Sequence, residues 1–123
     1  MTILLVEDDE DDQDIFREGV KLVKPGCKLL IAQNGEEGLT ILQAGNPKPD
    51  YIFLDVNMPK MDGRAFLKSV KSDPLYSKIP VVIYSTNNNK SELGEYFKLG
   101  ASNFVTKPSE FELLVTYLKT ILH

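Results

Sequence analysis

The sequence predicts an α/β fold, a doubly wound parallel sheet covered by helices on both faces. Three observations lead there. Short apolar runs alternate with longer amphipathic stretches, and the alternation repeats five times, which is the signature of successive βα units. The apolar runs are nearly continuous rather than alternating with polar residues, as expected of strands buried on both faces. The chain has 123 residues, whereas a closed (βα)8 barrel needs about 250, so an open sheet is the architecture that fits.

The elements follow in order. Ile3 to Val6 is the first run, bounded by acids. Ile15, Phe16, Val20 and Val23 recur at helical spacing until Lys24-Pro25-Gly26 ends the helix. Lys28 to Ala32 is the second run. Asn34-Gly35-Glu36-Glu37 supplies a helix cap and an acidic first turn, leading to Leu39 and Leu42 before Gly45, Pro47 and Pro49 break the pattern. Tyr51 to Leu54 is the third run and ends at Asp55. Phe66, Leu67 and Val70 mark a helix after Asp62-Gly63. Pro80 opens the fourth run, Val81 to Tyr84, and Leu93, Tyr96 and Phe97 form the next stripe, closed by Gly100. Asn103 to Val105 is the fifth run. Ser109 and Glu112 have the spacing of a capping box. Phe111, Leu114, Val115, Leu118 and Ile121 then follow the i, i+3, i+4, i+7 rule.

Composition narrows the function. Apolar residues are 42% and charged residues 26% of the chain, ordinary values for a single globular domain over residues 1–123. Fourteen basic residues face 18 acidic ones, a net charge of −4, which argues against a direct nucleic-acid binder. Six of the acids form one run, Glu7-Asp8-Asp9-Glu10-Asp11-Asp12; without it the balance is 14 basic to 12 acidic. One cysteine, Cys27, cannot form an internal disulfide, so a reducing, cytoplasmic location is expected. No apolar stretch is long enough to span a membrane. The sole histidine is His123, the last residue, which disfavours histidine-based catalysis.

The chemistry collects on one rim. The first strand ends at Glu7 and Asp8, the third at Asp55, the fourth at Ser85 and Thr86, and the fifth at Lys107 and Pro108. In a parallel sheet of order 2-1-3-4-5, the flavodoxin-like arrangement, these ends share one edge, and the first and third strands flank the switch point where ligands bind. Three converging carboxylates need a compensating cation. Oxygen donors suit Mg²⁺, which favours one or two carboxylates together with phosphate oxygens. Asp55 then fits as a nucleophile toward phosphorus, with Lys107 and the Ser85 hydroxyl on the phosphoryl oxygens.

Together, Glu7-Asp8 after the first strand, Leu54-Asp55-Val56-Asn57-Met58-Pro59-Lys60-Met61-Asp62-Gly63, Ser85-Thr86, and Phe104-Val105-Thr106-Lys107-Pro108 resemble the receiver domain of two-component response regulators. The resemblance spans the whole chain and is closest to the single-domain, chemotaxis type without an output domain. It implies that Asp55 is the phosphoacceptor. It implies that Glu7, Asp8, Asp55 and the backbone carbonyl of Asn57 hold Mg²⁺, with Mn²⁺ as the alternative ion. Ser85 and Phe104 match the switch hydroxyl and the switch aromatic, and Lys107 the phosphate-contacting lysine. Thr86 follows the switch hydroxyl, Gly63 is structural, and the Lys107–Pro108 bond is cis in relatives. Asn57 and Asn87 occupy positions that modulate the phosphoryl lifetime. Phe104 lacks the hydroxyl of the tyrosine often found there. The partners implied are a sensor histidine kinase or histidine phosphotransfer protein and an unknown downstream protein, with no nucleic acid and no membrane. The protein would be a monomer or a phosphorylation-dependent dimer. It would be a signalling switch, not an enzyme, apart from self-phosphorylation and self-dephosphorylation.

Other classes fit less well. An aspartyl-phosphate phosphatase would carry its nucleophile on the first strand with a second Asp two residues on, but the candidate is on the third strand and position 57 is Asn. A flavin carrier of this topology would want a Ser/Thr/Gly-rich loop where the six acids stand. A calcium loop counted from Asp8 fails, with Gln13 at its sixth position and Gly19 at its twelfth. A degenerate receiver would have lost part of the Glu7, Asp8, Asp55, Ser85, Lys107 set. Asp9 to Asp12 read as a solvated helix start suited to the positive end of the helix dipole.

Overall fold

The computed structural model describes residues 1–45, 47–56, 63–86, 90–108 and 110–122. Five strands, β1 (Thr2–Val6), β2 (Lys28–Ala32), β3 (Tyr51–Leu54), β4 (Val81–Ser85) and β5 (Asn103–Thr106), alternate with five helices. The helices are α1 (Glu10–Val23), α2 (Gly35–Ala44), α3 (Gly63–Ser72), α4 (Lys90–Lys98) and α5 (Phe111–Ile121). Every strand pairing is parallel, in the order β2-β1-β3-β4-β5. The architecture read from the sequence is the one observed.

The two-residue period of a strand divides the core into two layers. Leu4, Val6, Ile52, Leu54, Val81 and Ile83 point to one face, where Leu42 of α2, Phe66 and Val70 of α3, and Tyr96 of α4 cover them. Ile3, Leu5, Phe53, Val82, Tyr84 and Val105 point to the other, beneath Phe16 and Val20 of α1 and Leu114 and Leu118 of α5. On this second face the rings of Phe16, Phe53 and Tyr84 form a cluster with centroids 5.0, 5.4 and 6.4 Å apart in edge-on and tilted contacts. Such pairs add about 1 kcal/mol each beyond the area they bury.

The helix signals act largely as expected. Asn34 caps α2 through Glu37 N–H (2.8 Å), and Gly45 ends it at φ 75°. That left-handed conformation is open to glycine at little cost. Two expectations need correction. The cap of α5 is Glu110, which makes no side-chain capping bond, so the helix starts one residue later than a Ser109–Glu112 box would place it; Ser109 itself lies outside the described residues. The apolar stripes are also narrower than their sequence periodicity. Ile15 is 45%, Phe97 47% and Phe111 42% exposed. Ile15 and Phe97 each neighbour a buried aromatic, Phe16 or Tyr96, and one residue is a 100° rotation about the helix axis. Phe111 is the first residue of its helix and precedes the part of α5 that meets the sheet.

Candidate functional site

The site stands at the carboxyl ends of β1, β3, β4 and β5. Val6 is in register with Leu54, so the next residues, Glu7 and Asp55, leave the sheet side by side. Their backbones are still held by the ladder: Glu7 N–H donates to Ala32 C=O (2.9 Å) and Asp55 N–H to Val6 C=O (2.9 Å). Lys107 N–H likewise donates to Ser85 C=O (3.0 Å). Strand alternation, continued one residue past each strand end, sends Glu7, Asp55 and Lys107 toward the α1/α5 layer, and Ser85 toward the layer that holds α4.

Contacts agree with that placement. Lys107 Nζ lies 2.5 Å from Glu7 Oε1, 2.8 Å from Asp12 Oδ2 and 3.2 Å from Asp55 Oδ2. The lysine side chain is only 11% exposed, and its ammonium sits 5.7 Å from the centre of the Tyr84 ring, whose face attracts a cation. Glu7 is fully buried. Its carbonyl accepts from Gln13 Nε2 (2.7 Å), which ties the end of β1 to α1. Glu7 Oε1 meets the ammonium through charge proximity, without an aligned hydrogen bond.

The electrostatics follow. Burial pushes the Glu7 carboxyl up to about 8; the hydrogen bond with the adjacent Asp55 and the charge of Asp55 add to the rise, and Lys107 opposes it. For Lys107, burial favours the neutral amine, but the surrounding carboxylates of Asp12, Glu7 and Asp55 outweigh this and hold it above its ordinary range. Burial raises the Tyr84 phenol to about 12, so that ring is a neutral floor.

Glu7, Asp8 and Asp55 each offer a carboxylate oxygen, all within 4.8 Å of one another. Asp8 is exposed while the other two are buried. Oxygen donors of this charge, including the unaligned buried Oε1 of Glu7, fit a hard divalent cation. Ser85 is fully buried and Thr86 exposed. Phe104 is half-buried on β5, in register with Ile83, and packs on the α4 side of the sheet, the side that Ser85 faces. Gly63 opens α3 against Val56, the residue after Asp55; a Cβ there would come 2.8 Å from Val56 Cγ1 and 3.2 Å from Val56 Cα. Asn57 and Asn87 lie outside the described residues. Sequence reasoning missed Asp12, assigned above to a solvated helix start. It also missed Gln13, which is buried in the structure and is marked in the sequence only by being the uncharged residue of an acidic turn.

Residues 3–119 match the response regulator receiver domain family, and the chain belongs to it. Rcp1 of Synechocystis, a response regulator, is 34% identical over 110 residues, covering 85% of this chain and 75% of that protein. The sensor histidine kinase CheAY of Helicobacter pylori is 35% identical over 118 residues, 95% of this chain but 14% of the kinase. Among solved structures, the phosphorylated cyanobacterial phytochrome response regulator RcpA superimposes with a TM-score of 0.89 at 32% identity, covering 98% of this chain and 89% of RcpA. The Mn²⁺-bound form of Rcp1 gives 0.86 at 31% identity, covering 98% and 90%. Family membership brings a phosphoacceptor role in two-component signalling, a switch rather than a classical enzyme, and the family's engagement with histidine kinases and downstream targets. Among the described residues, no helix is long and apolar enough to cross a membrane.

Proposed function

We propose that Asp55 is the phosphoacceptor of a Mg²⁺-dependent phosphorelay switch. One observation carries the reading: Lys107, Glu7 and Asp55 converge on one buried rim, with Nζ 3.2 Å from Asp55 Oδ2, in a chain of the receiver family. A carboxylate oxygen of Asp55 attacks phosphorus on a phosphohistidine of a kinase or phosphotransfer protein. The P–N bond breaks, the imidazole leaves with the electron pair and takes a proton, and an acyl phosphate remains on Asp55. The Lys107 ammonium stabilises the phosphoryl oxygens as charge develops. Glu7, Asp8, Asp55 and the Asn57 carbonyl would hold the cation, whose chemistry is neutralisation of phosphoryl charge.

The output is a population shift. The Ser85 hydroxyl turns to the new phosphoryl group, Phe104 moves into the space it leaves, and the α4–β5–α5 surface is re-biased toward a downstream protein. Their shared side of the sheet supports this coupling. Acetyl phosphate, with and without Mg²⁺, tests the reaction by intact mass. One phosphoryl group gained only with the metal is the result expected; equal labelling in a chelator contradicts the metal's role.

A further inference from the structure

Of the carboxylates around the Lys107 ammonium, Asp12 stands apart. Glu7 and Asp55 belong to the group able to hold a cation, and Asp12 does not. Asp12 comes from the first turn of α1, 95 residues away in sequence, and its bond to Nζ is an aligned one of 2.8 Å. The turn that carries it is fixed: Asp9 Oδ1 accepts from the N–H groups of Asp11 (2.8 Å) and Asp12 (3.2 Å). Asp12 is also 34% exposed, against 1% for Glu7 and 5% for Asp55, so its charge can remain unshared at little cost.

An ammonium has three donors, and here it faces three carboxylates. Two of those three change when the site works, because Glu7 serves the cation and Asp55 becomes an acyl phosphate. Lysine has a long, freely rotating stem, so a partner that stays constant is needed to keep Nζ on the rim.

We propose that Asp12 is a positioning residue for Lys107: its carboxylate holds the ammonium at the rim through the phosphorylation cycle while Glu7 and Asp55 change partners. The inference rests on the reading of Asp55 as phosphoacceptor. It needs the oxygen of Asp12 more than its charge, and that separates two variants. Asp12→Asn keeps an oxygen that accepts from Nζ; Asp12→Ala keeps none. Folding is retained in both, since the position is partly exposed and alanine favours a helix.

The test is the rate of labelling by acetyl phosphate at saturating Mg²⁺. Asp12→Ala should be slowed about tenfold and Asp12→Asn no more than about threefold, in line with the cost of misplacing one stabilising group. In a Lys107→Ala background, Asp12→Ala should cause no further slowing, because the two act as one unit. Wild-type rates in Asp12→Ala, equal slowing of both variants, acceleration, or a full additional loss in the Lys107→Ala background would each overturn the proposal. If the unaltered protein takes no label, the phosphoacceptor reading itself fails, and that outcome is distinct from a fast Asp12→Ala variant.

Discussion

Glu7 and Lys107 meet 2.5 Å apart at the edge of the sheet, one fully buried and the other nearly so. The ammonium is what makes two adjacent buried carboxylates tolerable. Lys107→Met should therefore destabilise the metal-free protein by about 3 kcal/mol above pH 8, the usual cost of leaving a buried charge without its partner. The loss should be smaller near about pH 5, where Glu7 takes up a proton instead. Urea unfolding at the two pH values checks this; an equal loss at both would separate Lys107 from the ionisation of Glu7.

The raised Glu7 pKa links stability to pH. Its folded value is about 8 against an ordinary 4.5, so between these values the folded state binds more protons than the unfolded one. The contribution of Glu7 to metal-free stability is thus full below about pH 4.5 and is lost as pH rises toward 8, at up to about 1 kcal/mol per unit.

Metal affinity should run the opposite way. A cation binds the ionised carboxylate and displaces the proton, so Mg²⁺ affinity should rise up to about tenfold per pH unit below 8 and then level off. Calorimetric titration in buffers of different ionisation enthalpy would detect the released proton. Binding that is flat between about pH 6 and 8 would contradict protonation of Glu7 in the metal-free site.

The aromatic floor bears on the same rim from below. Phe16 is fully buried between Phe53 and Tyr84, and Tyr84 carries the Lys107 ammonium over its ring. Phe16→Ala should cost about 3–5 kcal/mol. The denaturation midpoint should fall while the slope is unchanged; a loss below about 1 kcal/mol would mean that α1 can collapse into the space.

Gly63 is set by its neighbour. A methyl group there presses on Val56, directly after Asp55. Gly63→Ala should destabilise the fold by about 1–3 kcal/mol, as overpacking does, and should slow phosphorylation by shifting the end of β3. Adding Val56→Ala removes the closest contact, that with Cγ1, and should restore part of the stability. Absence of any rescue would place the strain elsewhere.

Phe104 separates chemistry from output. It lies on the α4 side of the sheet, away from the Glu7–Asp55–Lys107 cluster. Phe104→Ala should change affinity for a downstream partner several-fold while leaving the labelling rate within about twofold. The reverse pattern would refute the coupling of Ser85 to the α4–β5–α5 surface.

The sheet order and most of the rim were legible because β1 and β3 are apolar runs that stop at a charge, and the shorter apolar pair Phe104-Val105 of β5 is followed two residues on by Lys107. A buried run that ends in Glu7 or Asp55 leaves that charge only the strand's carboxyl edge. Asp12 was not legible, since it sits among acids that are individually compatible with water and its partner is 95 residues away. The acidic run in fact divides. Glu7 and Asp8 lie with Asp55, Asp9 caps α1, Asp12 pairs with Lys107, and Glu10 and Asp11 are exposed. The exposure of Ile15 and Phe111 was hidden as well, because periodicity gives a stripe's direction but not where it overhangs the core.

Peptide-level mass spectrometry shows whether Asp55 receives the phosphoryl group. After reaction with acetyl phosphate and Mg²⁺, the acyl phosphate is trapped by reduction and the modified residue located. Modification is expected at Asp55 alone, with none in Asp55→Asn. A label on Glu7, Asp8 or Asp12 in the unaltered protein, or full labelling of the Asp55→Asn variant, would contradict it.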